Sequence, residues 1–279
     1  MATSTQVQRI AAFSDGDSGG NPAGVLISER LPDAAEMQRI AADIGFSETA
    51  FAAPQDGDWR VRYFSPESEV PFCGHATIAL GAALAMQEGD GIFPLALNNA
   101  RITVEGHRDG DRFSAALQSP PTRTSVMPAP LVDAILDLFG YTVDDLDPRF
   151  PVFRIHAGAD HLALVLKSRE KLAAMHYDLA AGRALMNLAG LVTVVIAWPE
   201  TDQRFHTRNP FASGGVYEDP ATGAGTAAFA AYLRDIGWPH GGAIDVVQGE
   251  DMGSRSLLHA EIPAEPGSSI RVSGSARLM

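Results

Sequence analysis

Residues 71–84 read PFCGHATIALGAAL, and residues 223–233 read GAGTAAFAAYL. Aligned at a constant offset of 149, Gly74 meets Gly223, Thr77 meets Thr226, Ala79 meets Ala228, Ala82 meets Ala231 and Leu84 meets Leu233. A recurrence at about half the chain, each time after a strand and a loop, points to two similar domains related by duplication. Both stretches are helices of Ala and Gly with few bulky residues. Such helices fit tightly packed surroundings, such as the inside of a curled sheet. A glycine-containing turn that enters a helix aims its first N–H groups and the positive end of the helix dipole outward, which makes it a cradle for an anion or oxyanion.

Working outward, VQRIAAF and VLIS read as strands joined by the turn-rich SDGDSGGNPAG. Leu31–Gly45 carries Met37, Ile40, Ala41 and Ile44 on one face of an amphipathic helix, with Gly45 as its C-cap. SETAFAAP and WRVRYFSP are short, aromatic or β-branched, and closed by proline, as strands are. The first small-residue helix is expected over about Ala76–Gln87, followed by strands at Asn98–Glu105 and Arg112–Leu117. Ser119–Pro130, with four prolines, has the composition of a linker. Beyond it come strands VFRIHAG and HLALVLK, a helix around Asp178–Leu188, the strands LVTVVIAWP and RFHTRNPF, and the second small-residue helix.

The 279 residues allow one large or two ordinary domains. The net charge of −13 argues against a nucleic-acid partner, since that affinity comes mostly from Lys and Arg neutralising phosphates. The single cysteine excludes an intramolecular disulfide and any multi-cysteine metal site, and fits a reducing cytoplasm. The N-terminus lacks the basic start and apolar run of a signal peptide. The longest apolar runs, near 76–86 and 188–198, fall short of the ~20 residues of a membrane helix. A soluble cytoplasmic protein acting on a small molecule is the expectation.

Three polar residues stand at the helix mouths or beside them. Glu48, in GFSETAFAAP, lies between apolar neighbours at a strand edge, where a carboxylate is costly to bury unless it is paired or has a proton to move. Taken alone it also reads as a solvated strand-end residue. Asp219 precedes Pro220 just before the second helix, where N-capping is a sufficient role. His75, at the first mouth, reads equally as a capping or hydrogen-bonded structural histidine.

GNPAGVLI, GFSETAF, RYFSPESEVPFCGHAT, RNPFASGGVYEDPATGAG and QGEDMGSRS followed by IRVSG stand in this order along nearly the whole chain. In these blocks the sequence resembles the PhzF-like isomerases of phenazine biosynthesis, within the diaminopimelate-epimerase-like superfamily. The resemblance implies an α+β fold of two pseudo-symmetric domains, each a curved, mostly antiparallel sheet or barrel around a central helix, with the active site in the cleft between them. The first domain would take residues 1–117 plus a C-terminal strand at about 268–279, the second 118–267. It further implies Glu48 as the residue that moves the proton, His75 and Asp219 as substrate-binding residues, and the turns at Gly74 and at Gly223, Ala224 and Gly225 as donors of backbone N–H groups. No metal or organic cofactor is implied, and a homodimer is expected.

Two departures stand out. The family serine after the glycine of the EDPxTG block is Ala224 here, which removes a hydroxyl and puts the phenazine substrate in doubt. The family's GRPS is GSRS, Gly253–Ser256, leaving Ser254, Arg255 and Ser256 near the site. Cys73 stands where the two-thiol racemases of the superfamily carry their first cysteine, but EDPA occupies the matching place of the second half. A two-thiol mechanism is thereby excluded, and Cys73 reads as a buried small residue beside the substrate. The expected function is a cofactor-independent isomerase or epimerase acting on a small carboxylate, with Glu48 as general acid and base. The alternative is a binding protein that keeps the fold without the chemistry.

Overall fold

The computed structural model describes residues 6–279 and divides into two units, Met1–Gln118 with Ser273–Met279, and Ser119–Val272. In unit 1 the strands are β1 (Gln8–Ala12), β2 (Asn21–Ile27), β3 (Thr49–Gln55), β4 (Asp58–Phe64), β5 (Glu69–Val70), β6 (Gly91–Ala96), β7 (Arg101–Asp109) and β8 (Arg112–Gln118). Helix α1 (Ala34–Ile44) lies between β2 and β3, and α2 (Gly74–Glu88) between β5 and β6. Strands β1, β2, β3, β4, β6, β7 and β8 pair in that order. The C-terminal strand, Arg271–Leu278, pairs with both β8 and β1 and closes the ring at eight strands.

Two pairs in this ring, β2 with β3 and β4 with β6, are parallel. A parallel pair requires a crossover, and the two crossovers carry the two helices. Helix α1 packs outside, with Met37 and Ala41 against Leu26, Phe51 and Phe64. Helix α2 runs inside, in contact with β1, β2, β3, β6, β7 and β8, and every residue from His75 to Ala85 is buried. The composition of α2 follows from this position. An α-helix enclosed by eight strands leaves room for little beyond Ala and Gly, and a Cβ on Gly106 of β7 would lie 2.2 Å from the carbonyl oxygen of Gly81. Ile78, Leu80 and Leu84 fill the wider levels at full burial, each contributing about 2 kcal/mol.

Unit 2 repeats the plan. Its elements are β9 (Arg123–Val126), α3 (Ala129–Phe139), β10 (Phe153–His156), β11 (Asp160–Val165), α4 (Arg169–Ala173), α5 (Leu179–Ala189), β12 (Thr193–Pro199), β13 (Arg204–Phe211), β14 (Val216–Asp219), α6 (Gly223–Asp235), β15 (Ala243–Gln248) and β16 (Ser256–Glu261). Pairing runs β9, β10, β11, β12, β13, β15, β16, with β11 and β12, and β13 and β15, parallel. Helix α5 covers the outer face with α3, over Leu162, Leu164, Val194 and Ile196. Helix α6 lies against β9, β10, β11, β12, β15 and β16. Strands covered on both faces read as continuous apolar runs, as Val194–Ala197 does.

The expected α+β class, with mostly antiparallel strands around a central helix in each unit, is the one observed. Three local expectations change. The stretch Ser119–Pro130 contains β9 and the first turn of α3, because proline is tolerated at a helix start and Pro128 and Pro130 sit there. Its strand reads as polar because Arg123–Val126 is largely exposed. NPAG belongs to β2, with Asn21 opposite Ala12, and not to the preceding turn. Strand β6 was not foreseen, since Pro94 interrupts its pattern; its register with β4 begins only at Leu95, so no ladder bond to β4 is lost at Pro94. The expected strand at Asn98 starts at Arg101, after a turn closed by Leu97 N–H donating to Ala100 O. Among the described residues no helix is long and apolar enough to cross a membrane.

Candidate active site

In unit 1 the chemistry collects at the N-terminus of α2. Gly24 N–H donates to the carbonyl of Glu48 at 3.2 Å, and a Cβ on Gly24 would lie 2.6 Å from Thr49 Oγ1. The close approach of β2 to β3 therefore requires glycine there and fixes the backbone that carries Glu48. Glu48 Oε2 lies 3.5 Å from His75 Nε2, with the Glu48 side chain 14% exposed and that of His75 7%. Ser47 Oγ stands 3.4 Å from the same nitrogen. On the other side of the ring, His75 Nδ1 is 3.3 Å from Cys73 Sγ.

Cys73 is the N-cap of α2 in extended conformation and caps with no side-chain bond. His75 does not cap either; its ring faces Glu48 and Cys73. The N–H groups of Gly74, His75 and Ala76 lack acceptors within the helix, whose first bond is Thr77 N–H to Cys73 O. Thr77 Oγ1 also donates to Cys73 O at 2.7 Å, so it accepts from Tyr63 OH, also at 2.7 Å. Burial pushes the Tyr63 phenol far up, against the smaller opposing effect of its hydrogen bond to Thr77, so it stays a donor. This chain ties the helix mouth to β4.

In unit 2 the mouth of α6 is held differently. Thr222, not Asp219, is the N-cap, so N-capping does not account for Asp219. Asp219 Oδ2 accepts from Thr222 Oγ1 at 2.6 Å. Gln248, fully buried, accepts Thr222 N–H through Oε1 and donates through Nε2 to Asp219 O and Thr222 Oγ1. Each polar atom of the Thr222 and Gln248 side chains is thereby satisfied, which fixes the start of the helix. Gly223, Ala224 and Gly225 form its first turn, and of the three only Ala224 is partly exposed. Ser254 lies in the loop after β15, its N–H donating to Gly249 O at 2.9 Å and its carbonyl accepting from Ser256 Oγ.

The two units match in register but not in chemistry. The pair Gly24 with Thr49 opens the parallel ladder of β2 and β3, and His161 with Thr193 opens that of β11 and β12. The residue before each strand is Glu48 in unit 1 and Val192 in unit 2. Likewise the helix N-caps are Cys73 and Thr222, so the partner of Cys73 is Thr222, one residue after the EDPA matched to it from the sequence. At these two matched positions the carboxylate and the thiol occur in unit 1 only.

A family model described as phenazine biosynthesis-like protein, PhzC-PhzF, matches residues 10–279. The chain belongs to the PhzC-PhzF family. It is 33% identical to the trans-2,3-dihydro-3-hydroxyanthranilate isomerase of Pseudomonas aeruginosa, over 95% of this chain and 94% of that protein. It is 30% identical to an isomerase of Escherichia coli O157:H7 named YddE, over 98% and 96%. Its fold matches that of a PhzF-family phenazine biosynthesis protein of Bacillus anthracis with a TM-score of 0.85 at 21% identity, covering 98% of this chain and 96% of that one.

Of the residues singled out in this PhzC-PhzF member, the structure gathers Glu48, Cys73, Gly74 and His75 in unit 1. It gathers Asp219, Gly223, Ala224 and Gly225 in unit 2, with Ser254 in a neighbouring loop. Sequence reasoning missed Ser47, Tyr63, Thr222 and Gln248. Gln248 opens the QGED block, and a glutamine ending an apolar strand before glycine was the available signal.

Proposed function

We propose that the protein is an isomerase that moves a proton between two atoms of one small carboxylate-bearing metabolite, with Glu48 taking the proton and returning it. The observation that carries this is the single carboxylate at 3.5 Å from His75 Nε2, whose counterpart in unit 2 is Val192. A base whose matched position in unit 2 is apolar suits removal and return of the same proton by one group. A racemase that exchanges protons on two faces of one carbon needs an acid on one side and a base on the other. The names of the relatives as isomerases support the same class.

In the proposed cycle, Glu48 abstracts a proton from an activated carbon and the electron pair moves into the conjugated substrate. The outward N–H groups at the start of α2 stabilise the charge that develops. His75 holds the carboxylate in place through Nε2. Glu48 then delivers the proton to a second carbon, so reactant and product have the same composition. In unit 2, the mouth of α6, with its turn N–H groups and the Asp219–Thr222–Gln248 network, is by itself proposed as a carboxylate-binding turn.

Proton NMR in heavy water tests this, with trans-2,3-dihydro-3-hydroxyanthranilate first and a set of amino and hydroxy acids beside it. The wild type should introduce deuterium into one compound, and Glu48→Gln should do so more slowly by about 10²–10⁴-fold with its fold intact. Exchange by Glu48→Gln at the wild-type rate sinks the assignment. Ligand-induced thermal stabilisation without any turnover would favour the binding protein instead.

A further inference from the structure

We infer that Asn209 is a specificity-determining residue at the mouth of α6, and that its side-chain amide pairs with an amine or hydroxyl which the ligand carries beside its carboxylate. This deepens the carboxylate-binding role proposed for that turn and rests on it. Asn209 lies in β13, opposite Asp219 of β14. Side chains alternate along a strand, so Phe205, Thr207 and Asn209 share one face. The Phe205 ring meets that of Phe229 in α6 edge-on, with centroids 5.1 Å apart, so this face is turned toward α6. Arg208, on the other face, donates to Glu218 and to the carbonyl of Ala173. At the Asn209 end the row reaches the first turn of the helix: Asn209 Nδ2 lies 3.0 Å from the point that a Cβ on Gly225 would occupy. Glycine at 225 therefore leaves room for the amide.

Asn209 is only 1% exposed, yet its Oδ1 has no hydrogen-bond partner. Thr207, 4% exposed, is in the same condition at Oγ1. Buried side-chain polar atoms are mostly paired, and an unpaired one is destabilising. Gln248, which stands in register with Thr207, has its amide engaged by Thr222 and Asp219. Beside these two side chains the N–H groups of Gly223, Ala224 and Gly225 also lack acceptors within the helix, whose first bond is Thr226 N–H to Thr222 O.

The free groups define the ligand. The helix start offers donors, which suit a carboxylate. Asn209 Oδ1 is an acceptor and needs a donor, and the Thr207 hydroxyl serves either role. An amino or hydroxy acid brings acceptor and donor on neighbouring atoms. A plain carboxylate leaves the amide oxygen unpaired and is held more weakly for that reason.

The test follows melting of the full chain against matched sets of acids over a range of concentrations, which gives affinity without turnover. The sets are phenylalanine, phenyllactate and phenylpropionate; aspartate, malate and succinate; and anthranilate, salicylate and benzoate. In the wild type and in Glu48→Gln, the amino or hydroxy member of at least one set should bind at least about tenfold more tightly than the unsubstituted member. In Asn209→Leu, similar in size but apolar, that preference should disappear while circular dichroism shows the native fold. Asn209→Ala, read in the same way, serves if Asn209→Leu does not fold. With a compound that exchanges protons, Asn209→Leu should raise KM by about tenfold or more and change kcat by less than about threefold. A preference retained without the amide, or no preference in the wild type, overturns the proposal. Absence of proton exchange in the wild type would end the isomerase reading, while the binding preference still decides the role of Asn209.

Discussion

At the scale of single residues, a difference of one side chain between matching positions separates the two halves: Glu48 against Val192, Cys73 against Thr222. At these two positions the titratable side chain stands in unit 1, and an apolar or hydroxyl side chain in unit 2. A second buried titratable residue acts on stability. His161 is fully buried, with Nδ1 2.7 Å from Thr193 Oγ1 and Nε2 without a partner. Burial pushes its imidazole down to about 4, with a smaller opposing effect from Asp160 and a smaller reinforcing one from His156. Between its ordinary value near 6.5 and about 4 the unfolded chain takes up a proton that the folded chain refuses. Stability from this group is therefore full above that window and is lost as the pH falls through it. Urea unfolding at about pH 7 and pH 5 should show a loss of about 2 kcal/mol from this residue. His161→Gln should flatten the dependence by that amount; an unchanged slope would refute the assignment.

At the scale of elements, the central helix and its wall were designed around absence of side chain. The Ala and Gly run of α2 was visible in the sequence, but the reason for Gly81 and Gly106 lies in the crossing of α2 and β7. A methyl at Gly106 would meet Gly81 O at 2.2 Å and Ala85 Cβ at 2.9 Å, and the first of these is backbone that cannot step aside. Gly106→Ala should therefore destabilise unit 1 by about 3 kcal/mol. Ile92→Ala, at a residue 66% exposed, serves as the control and should change stability by less than about 0.5 kcal/mol. Equal denaturant midpoints for the two variants would show that the helix can shift away. The elements whose sequence was misread failed for local reasons. Pro94 precedes the ladder to β4, and Pro128 and Pro130 sit at a helix start where no needed N–H is lost, which composition alone does not reveal.

At the scale of the whole molecule, the ring of unit 1 is closed by the last strand of the chain, which pairs with β8 and β1. Removing Ser273–Met279 would open that ring and leave two unpaired strand edges. The truncated protein should aggregate or lose its cooperative thermal transition, as size-exclusion chromatography and a melting curve will show. A wild-type melt would mean that the remaining strands hold α2 unaided. The sequence alone determined the repeat, the two small-residue helices and most strands, because periodicity and residue size act over a few neighbours. It also carried Glu48, His75, Cys73 and Asp219 as candidates through the order of the five blocks. What only the tertiary structure decided is which of these touch. Glu48 and His75 are 27 residues apart, and Gln248 is 26 from Thr222. Such pairs meet because strand register and crossovers place them, and register is a property of the folded sheet that no local stretch encodes.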